Sequence, residues 1–80
     1  MPSREAEIVN GILGYLRTHR HAAETAEGVH RWWLPEDAAW SVAEVSAALE
    51  KLVGEGILER YVLPGGDPLF RTRSQPPGHA

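Results

Sequence analysis

The stretch "WSVAEVSAALEKLVGEG", residues 40–56, constrains the fold of this chain more than any other segment. Ser41 occupies an N-cap position and Glu44 follows three residues later, which is the pattern of a capping box. Trp40 and Val45 take the two positions of a hydrophobic staple around the same helix start. The stretch therefore predicts a helix that begins directly after Ser41, with a defined path of the chain into it.

The apolar residues of this helix recur at helical spacing, so one face is expected to be buried. The predicted buried stripe consists of Val42, Val45, Leu49, Leu52 and Val53. Gly54 or Gly56 is expected to end the helix in the left-handed conformation, which glycine adopts without steric cost.

A chain of 80 residues without cysteine has neither a disulfide nor a thiolate–metal site to stabilise it. A domain of this size buries only about 60–65% of its unfolded surface, so it depends on well-packed apolar side chains. Residues 3–19 form a further amphipathic segment, for which Ser3 is the expected N-cap. We predict a first helix here, whose apolar stripe contains Ile8, Val9, Ile12, Leu13 and Leu16.

A second, shorter helix is predicted over 22–34, "AAETAEGVHRWWL", and Pro35 makes its continuation unfavourable. Its apolar face is expected to contain Ala22, Ala26, Val29 and Trp33.

The segment after the third helix has the composition of a β-hairpin. "ILERYVL" and "PLFRT" are rich in β-branched, aromatic and aliphatic residues, and "PGGDP" between them is typical of a turn. Residues 74–80 lack apolar periodicity and are predicted to be a disordered tail. The chain is therefore predicted to be a single domain over 1–73 of the α+β class, mainly α, with three helices followed by a two-stranded β-hairpin.

This order of elements resembles a winged helix-turn-helix domain. The resemblance is carried by "SVAEVSAALEKLVGEGILERYVLPGGDPLFR", Ser41 to Arg71, and it reaches residues 4–34 only through helix count and order. The segment is similar to the bacterial pattern "L..L...G.L.R", in which the recognition helix runs into the wing; here Leu49, Leu52, Gly56, Leu58 and Arg60 occupy those places. Such domains commonly have a further short strand, for which "AAW" and "RWWL" are the only candidates, and neither has a strand pattern.

The resemblance implies that the third helix enters the major groove of duplex DNA through its solvent-facing residues. In this chain they are Ala43, Ser46, Ala47, Glu50 and Lys51, beside Glu44. The wing would add Arg60, Arg71 and Arg73 as contacts to the phosphate backbone or the minor groove. The two glutamates repel phosphate, and the helix offers little for base readout. The alternative is that the hairpin arginines are ordinary solvated charges.

All three tryptophans lie within nine positions. Trp33 is expected in the core, and Trp40 is expected to act as the staple. Trp32 lies about 100° from Trp33 around the helix, so two interpretations remain open. Either the second helix is buried over a wide arc that includes Trp32, or Trp32 is partly exposed and marks an interface, because tryptophan is enriched among binding hot spots.

Other functional classes find little support. His19, His21 and His30 are expected to be solvated rather than metal ligands, because no spacing supplies three or four ligands. Ser41 is explained by capping and "PGGDP" lacks the Lys-Ser/Thr of a phosphate loop, so we predict no enzyme, no cofactor and no small-molecule ligand. No apolar run approaches the ~20 residues of a membrane span, and no signal peptide is visible, so a cytoplasmic location is predicted.

Two hypotheses follow. The first is a small DNA-binding transcriptional regulator; the net charge of −3 and pI of 5.7 weaken it without excluding it. The second is a protein-interaction module on the same frame, either a homodimer or an adapter to another protein, with Trp32 at the interface.

Overall fold

The computed structural model describes residues 3–73. Within them the chain forms three helices and a three-stranded antiparallel sheet, an α+β fold. The elements are α1 (Arg4–Thr18), β1 (Ala23–Glu24), α2 (Ala26–Gly28) with its continuation as a π-helical segment (Val29–Trp33), α3 (Val42–Gly54), β2 (Leu58–Val62) and β3 (Pro68–Thr72). The prediction of a disordered tail over 74–80 lies outside the described residues.

The helix α1 begins as its sequence predicts. The Ser3 hydroxyl accepts a hydrogen bond from the Ala6 N–H at 3.0 Å, which satisfies one of the free donors of the first turn. Ile8, Ile12 and Leu16 are buried, so the predicted stripe is confirmed as the core face of α1.

The capping box of α3 is also confirmed. The Glu44 N–H donates to the Ser41 hydroxyl at 3.0 Å, and the Ser41 N–H donates to the Glu44 carboxylate at 2.9 Å. At the other end, Gly56 adopts a φ of +79°, so of the two predicted glycines this one takes the left-handed conformation.

The buried stripe of α3 differs from its prediction at three residues, of which Val53 is only half-buried against the core. Val45, Leu49 and Leu52 are buried as expected, and Ala48 is buried with them. Val42, in contrast, is 38% exposed. Val42 lines a shallow groove between α3, α2 and the hairpin, because its position in the first turn points it past the edge of the core.

The second helix begins later than predicted. The Thr25 hydroxyl accepts from the Gly28 N–H at 3.1 Å, so Thr25 is the N-cap and the helix starts at Ala26. The preceding residues, Ala23–Glu24, are extended instead of helical. The prediction of the apolar face is nevertheless confirmed for Val29 and Trp33, which are both buried.

The sheet has three strands in the order β1-β3-β2, so the prediction of a two-stranded hairpin is incomplete. The hairpin itself is confirmed: β2 and β3 pair antiparallel from Leu58↔Thr72 to Val62↔Pro68. The third strand, β1, pairs its two residues with Arg71 and Phe70 of β3. It lies in neither "AAW" nor "RWWL". Alanine and glutamate have little β-propensity of their own, so β1 depends on its backbone hydrogen bonds to β3.

The core is one cluster between the helices and the inner face of the sheet. It contains Ile8, Ile12, Leu16, Val29, Trp33, Leu34, Val45, Ala48, Leu49, Leu52, Leu58 and Phe70. Gly11 allows close packing of α1 in this cluster, since a Cβ built there would lie 2.8 Å from the Leu34 Cδ2 atom.

We expect Gly14→Ala to raise the free energy of unfolding by about 0.5–1 kcal/mol, because alanine favours the helix over glycine. Nothing lies within 4 Å of a Cβ at that position. Gly11→Ala makes the same helix gain but pushes the buried Leu34 out of place, which costs about 1–3 kcal/mol. Urea unfolding should therefore give Gly11→Ala a lower free energy of unfolding than Gly14→Ala. Equal stabilisation of both would contradict this cost, because it would show that the Leu34 side chain moves aside freely.

Candidate functional site

The exposed face of α3 is the surface that the winged-helix resemblance assigns to DNA. Ala43, Ala47, Glu50 and Lys51 are exposed there, and Ser46 is half-buried. The small alanines lie between two rows of charged residues. This face therefore presents little hydrogen-bonding capacity for base edges at its centre.

The charges that flank these alanines are engaged within the chain. The Arg60 guanidinium donates to the Glu50 carboxylate at 3.0 Å. The Lys51 ammonium lies 3.2 Å from the Glu55 carboxylate one turn later, and this hydrogen bond raises the pKa of Lys51. The predicted phosphate-binding cations Arg60 and Lys51 thus already have anionic partners in the chain.

A third ion pair lies at the start of α3 and joins it to α1. The Arg4 guanidinium donates to both oxygens of the Glu44 carboxylate, at 2.7 and 3.0 Å, and to the Ala39 carbonyl at 2.6 Å. The hydrogen-bonded Arg4, and after it the Ser41 backbone N–H, lower the pKa of Glu44 from 4.5 to about 2. One carboxylate therefore caps α3 and holds the α1 terminus against it.

This arrangement predicts a specific dependence of stability on pH. Because the folded-state pKa of Glu44 lies below its ordinary value, the unfolded chain binds the proton more readily. The stabilisation is present above pH 4.5 and is lost as the pH falls towards 2. We expect Arg4→Ala to flatten the fall of the urea midpoint between pH 5 and 2, with Arg31→Ala as the control. Parallel pH curves for wild type and Arg4→Ala would contradict this role of Arg4.

The three hairpin arginines do not form one cluster. Arg60 points to the inner side of the sheet, where it meets Glu50 of α3. Arg71 lies on the outer side, where it pairs with Glu59 at 3.1 Å and stacks 4.3 Å from the centre of the Tyr61 ring. Neighbouring residues of a strand point to opposite faces of the sheet. Arg60 is the neighbour of Glu59, the partner of Arg71, so Arg60 and Arg71 lie on opposite faces of the hairpin.

Arg71 and Arg73 instead meet residues that precede β1. With Arg20, His21 and Thr72 they line a cleft of about 220 Å³. A shallow apolar groove of about 380 Å³ adjoins this cleft and shares Arg20 and Thr72 with it. Its other lining residues are Leu13, Leu16, Arg17 and Ile57. Sequence reasoning missed this site, although the two arginines and two histidines of "RTHRH", directly after the apolar stripe of α1, were a signal for it.

The two adjacent tryptophans have opposite environments. Trp33 is buried and stacks on Tyr15 with ring centres 4.9 Å apart, and Tyr15 stacks in turn on His19. Trp32 is 67% exposed, so the interpretation of a wide buried arc is wrong. Trp40 is half-buried against the core.

His19 and His30 are used in packing and hydrogen bonding, whereas His21 is exposed. His30 was expected to be solvated, but it is half-buried in the π-helical segment and donates from Nε2 to the Trp40 carbonyl at 2.6 Å. Together with the bond from Arg4 to Ala39, this contact fixes the loop between Leu34 and α3. Within residues 3–73, no three His, Asp or Glu side chains are grouped as a metal site requires.

Comparisons with family models, curated proteins and solved structures returned no match to this chain. None of the helices in residues 3–73 has the length and apolar composition that crossing a bilayer requires.

Proposed function

We propose that this chain is a small winged-helix-like domain that binds protein, either a second copy of itself or another chain, through a surface centred on Trp32. The observation that carries the proposal is the 67% exposure of Trp32. Trp33 fills the adjacent core position, so the fold does not need the second indole for its stability. Burying an exposed indole contributes strongly to binding, and tryptophan is prominent among residues that dominate interface energies.

The electrostatics of α3 support a protein partner over DNA. Arg60 is matched by Glu50, Lys51 by Glu55 and Arg4 by Glu44, so the three ion pairs leave no net positive charge on this face. Affinity for DNA comes largely from cations that neutralise phosphates, and here each of them would first have to leave a carboxylate.

The groove between α3 and the hairpin also favours a protein partner over DNA. It is lined by Val42, Pro68 and Phe70 together with Glu27, Glu50 and Asp67. Acidic residues at this place repel a phosphate backbone that approaches α3 from the hairpin side.

Sedimentation of the protein over a wide concentration range tests the Trp32 surface. Self-association that Trp32→Ser abolishes and Leu63→Ser leaves intact supports the homodimer form; Leu63 is the matched control, since it is also apolar and 52% exposed. Acrylamide quenching then reports whether the Trp32 indole becomes shielded as the complex forms. Association that is the same in both variants would overturn the assignment of Trp32.

Binding of duplex DNA is the second candidate function. The observation in its favour is that the small, exposed Ala43 and Ala47 let α3 approach another molecule closely, beside a hairpin that carries exposed Arg60 and Arg71. A low-salt titration with duplex DNA, followed residue by residue by NMR, tests it. Shifts confined to 41–51 and 60–71 that vanish as salt rises, and that weaken in Arg60→Ala and Arg71→Ala, would establish DNA binding. NMR shifts that appear at Trp32 when the protein associates with protein, and not when DNA is added, would favour the first proposal.

A further inference from the structure

The groove between the C-terminal half of α1 and the base of the hairpin combines an apolar floor with a basic rim. Leu13 and Leu16 of α1 form one wall, and Ile57, which is 40% exposed, forms the other. An exposed aliphatic side chain opposite two leucines is a surface that gains free energy when another apolar group covers it.

The rim carries an unusual share of the positive charge of the chain. Four of its eight Lys and Arg residues line the groove and the adjoining cleft: Arg17, Arg20, Arg71 and Arg73. Arg71 is matched by Glu59, but Arg17, Arg20 and Arg73 have no carboxylate within 4.0 Å among residues 3–73. In a chain whose net charge is −3, this end of the molecule is locally cationic.

We propose that this groove binds an acidic, amphipathic peptide segment of a partner protein. The apolar side chains of the segment cover Leu13 and Ile57, while its Asp and Glu side chains pair with Arg17, Arg20 and Arg73. The groove has the pattern of helix-in-groove recognition, in which apolar anchors enter a groove and charges on the rim set the partner.

The apolar floor distinguishes this partner from a nucleic acid. A sugar–phosphate backbone would satisfy the arginines but would leave Leu13 and Ile57 without an apolar partner. Trp32 is not among the residues that line the groove or the adjoining cleft, so the inference does not rest on the proposed function.

Fluorescence anisotropy with a synthetic labelled peptide tests the proposal. The peptide has about 15 residues, with leucine at i, i+3, i+4 and i+7 and glutamate and alanine elsewhere. Comparison ligands are a scrambled peptide of the same composition, a peptide with lysine in place of glutamate, and a duplex oligonucleotide. We expect the amphipathic acidic peptide to bind best, with an affinity that falls as salt rises. Equal binding of the scrambled peptide, or tighter binding of the oligonucleotide, would overturn the proposal.

Matched variants place the peptide in the groove. Arg20→Glu combined with Arg73→Glu should weaken binding about ten-fold, since two attractions become repulsions, whereas Arg31→Glu outside the groove should not. Ile57→Ser should weaken it about three- to ten-fold, with Leu63→Ser as the control for loss of an exposed apolar side chain. Thermal unfolding of each variant confirms that it is folded.

Trp32→Ser is expected to leave peptide binding unchanged, even if it abolishes self-association. Loss of peptide binding in Trp32→Ser but not in Ile57→Ser would assign the peptide to the Trp32 surface and overturn the inference.

Discussion

Replacing Trp33 with alanine is expected to lower the free energy of unfolding by about 3–5 kcal/mol, the usual cost of removing a buried aromatic side chain. The same change at the neighbouring Trp32 is expected to alter it by less than about 0.5 kcal/mol, as for other exposed positions. Trp33 is 8% exposed and stacks on Tyr15, whereas Trp32 is 67% exposed. The two variants remove the same side chain from adjacent positions, so each is the control for the other.

Urea unfolding followed by far-ultraviolet circular dichroism measures this difference without relying on indole fluorescence. In a domain of this size, 3–5 kcal/mol is a large part of the total stability, so Trp33→Ala should be partly unfolded even in dilute buffer. Comparable losses for the two variants would mean that Trp32 is buried in the isolated protein, and the proposed interaction surface would lose its basis.

Replacing Phe70 with alanine is expected to cost a similar amount, about 3–5 kcal/mol. Phe70 is 2% exposed, lies in the middle strand of the sheet and packs in the core. Leu69→Ala is the matched control, because Leu69 is half-buried on the opposite face of the same strand. Its loss should cost only about 1 kcal/mol.

This pair of variants also tests the register of the hairpin. A shift of one residue along a strand would exchange the buried and exposed faces, and Leu69 would then take the place of Phe70. Urea midpoints in which Leu69→Ala is the more damaging change would contradict the pairing of Phe70 with Arg60.

The elements that sequence patterns predicted well are those whose signals are local. Ser3 and Ser41 mark helix starts because the cap involves residues three positions apart. Gly56 ends α3 because its own backbone takes the left-handed conformation, which glycine adopts without steric cost. The hairpin is likewise defined by two apolar segments and the turn between them.

The features that escaped prediction depend on residues far apart in the chain. β1 is a two-residue strand with no periodicity, and it forms because β3, about 47 residues later, offers hydrogen-bonding groups at its edge. The basic cleft brings Arg20 to Arg73 across the same fold. A local pattern such as "RTHRH" shows that basic residues are grouped in sequence, but not which distant residues they meet.

The predicted DNA-contacting residues illustrate a further limit. Sequence patterns correctly placed Ala43, Ala47, Glu50 and Lys51 on the exposed face of α3, because helical periodicity decides which side is buried. They did not reveal that Arg60 pairs with Glu50 or that Arg71 and Arg60 lie on opposite faces of the hairpin. Whether a surface cation is available to a ligand is decided by its neighbours in space.

The central position of β3 affects how this protein can acquire its structure during synthesis. The chain is made from its N-terminus, so both outer strands are synthesised before the strand that joins them. Before Pro68–Thr72 is available, β1 and β2 have no strand to pair with and Phe70 is missing from the core. Translation places the closing step of the sheet late, and until then the newborn chain depends on its helices to stay out of aggregates.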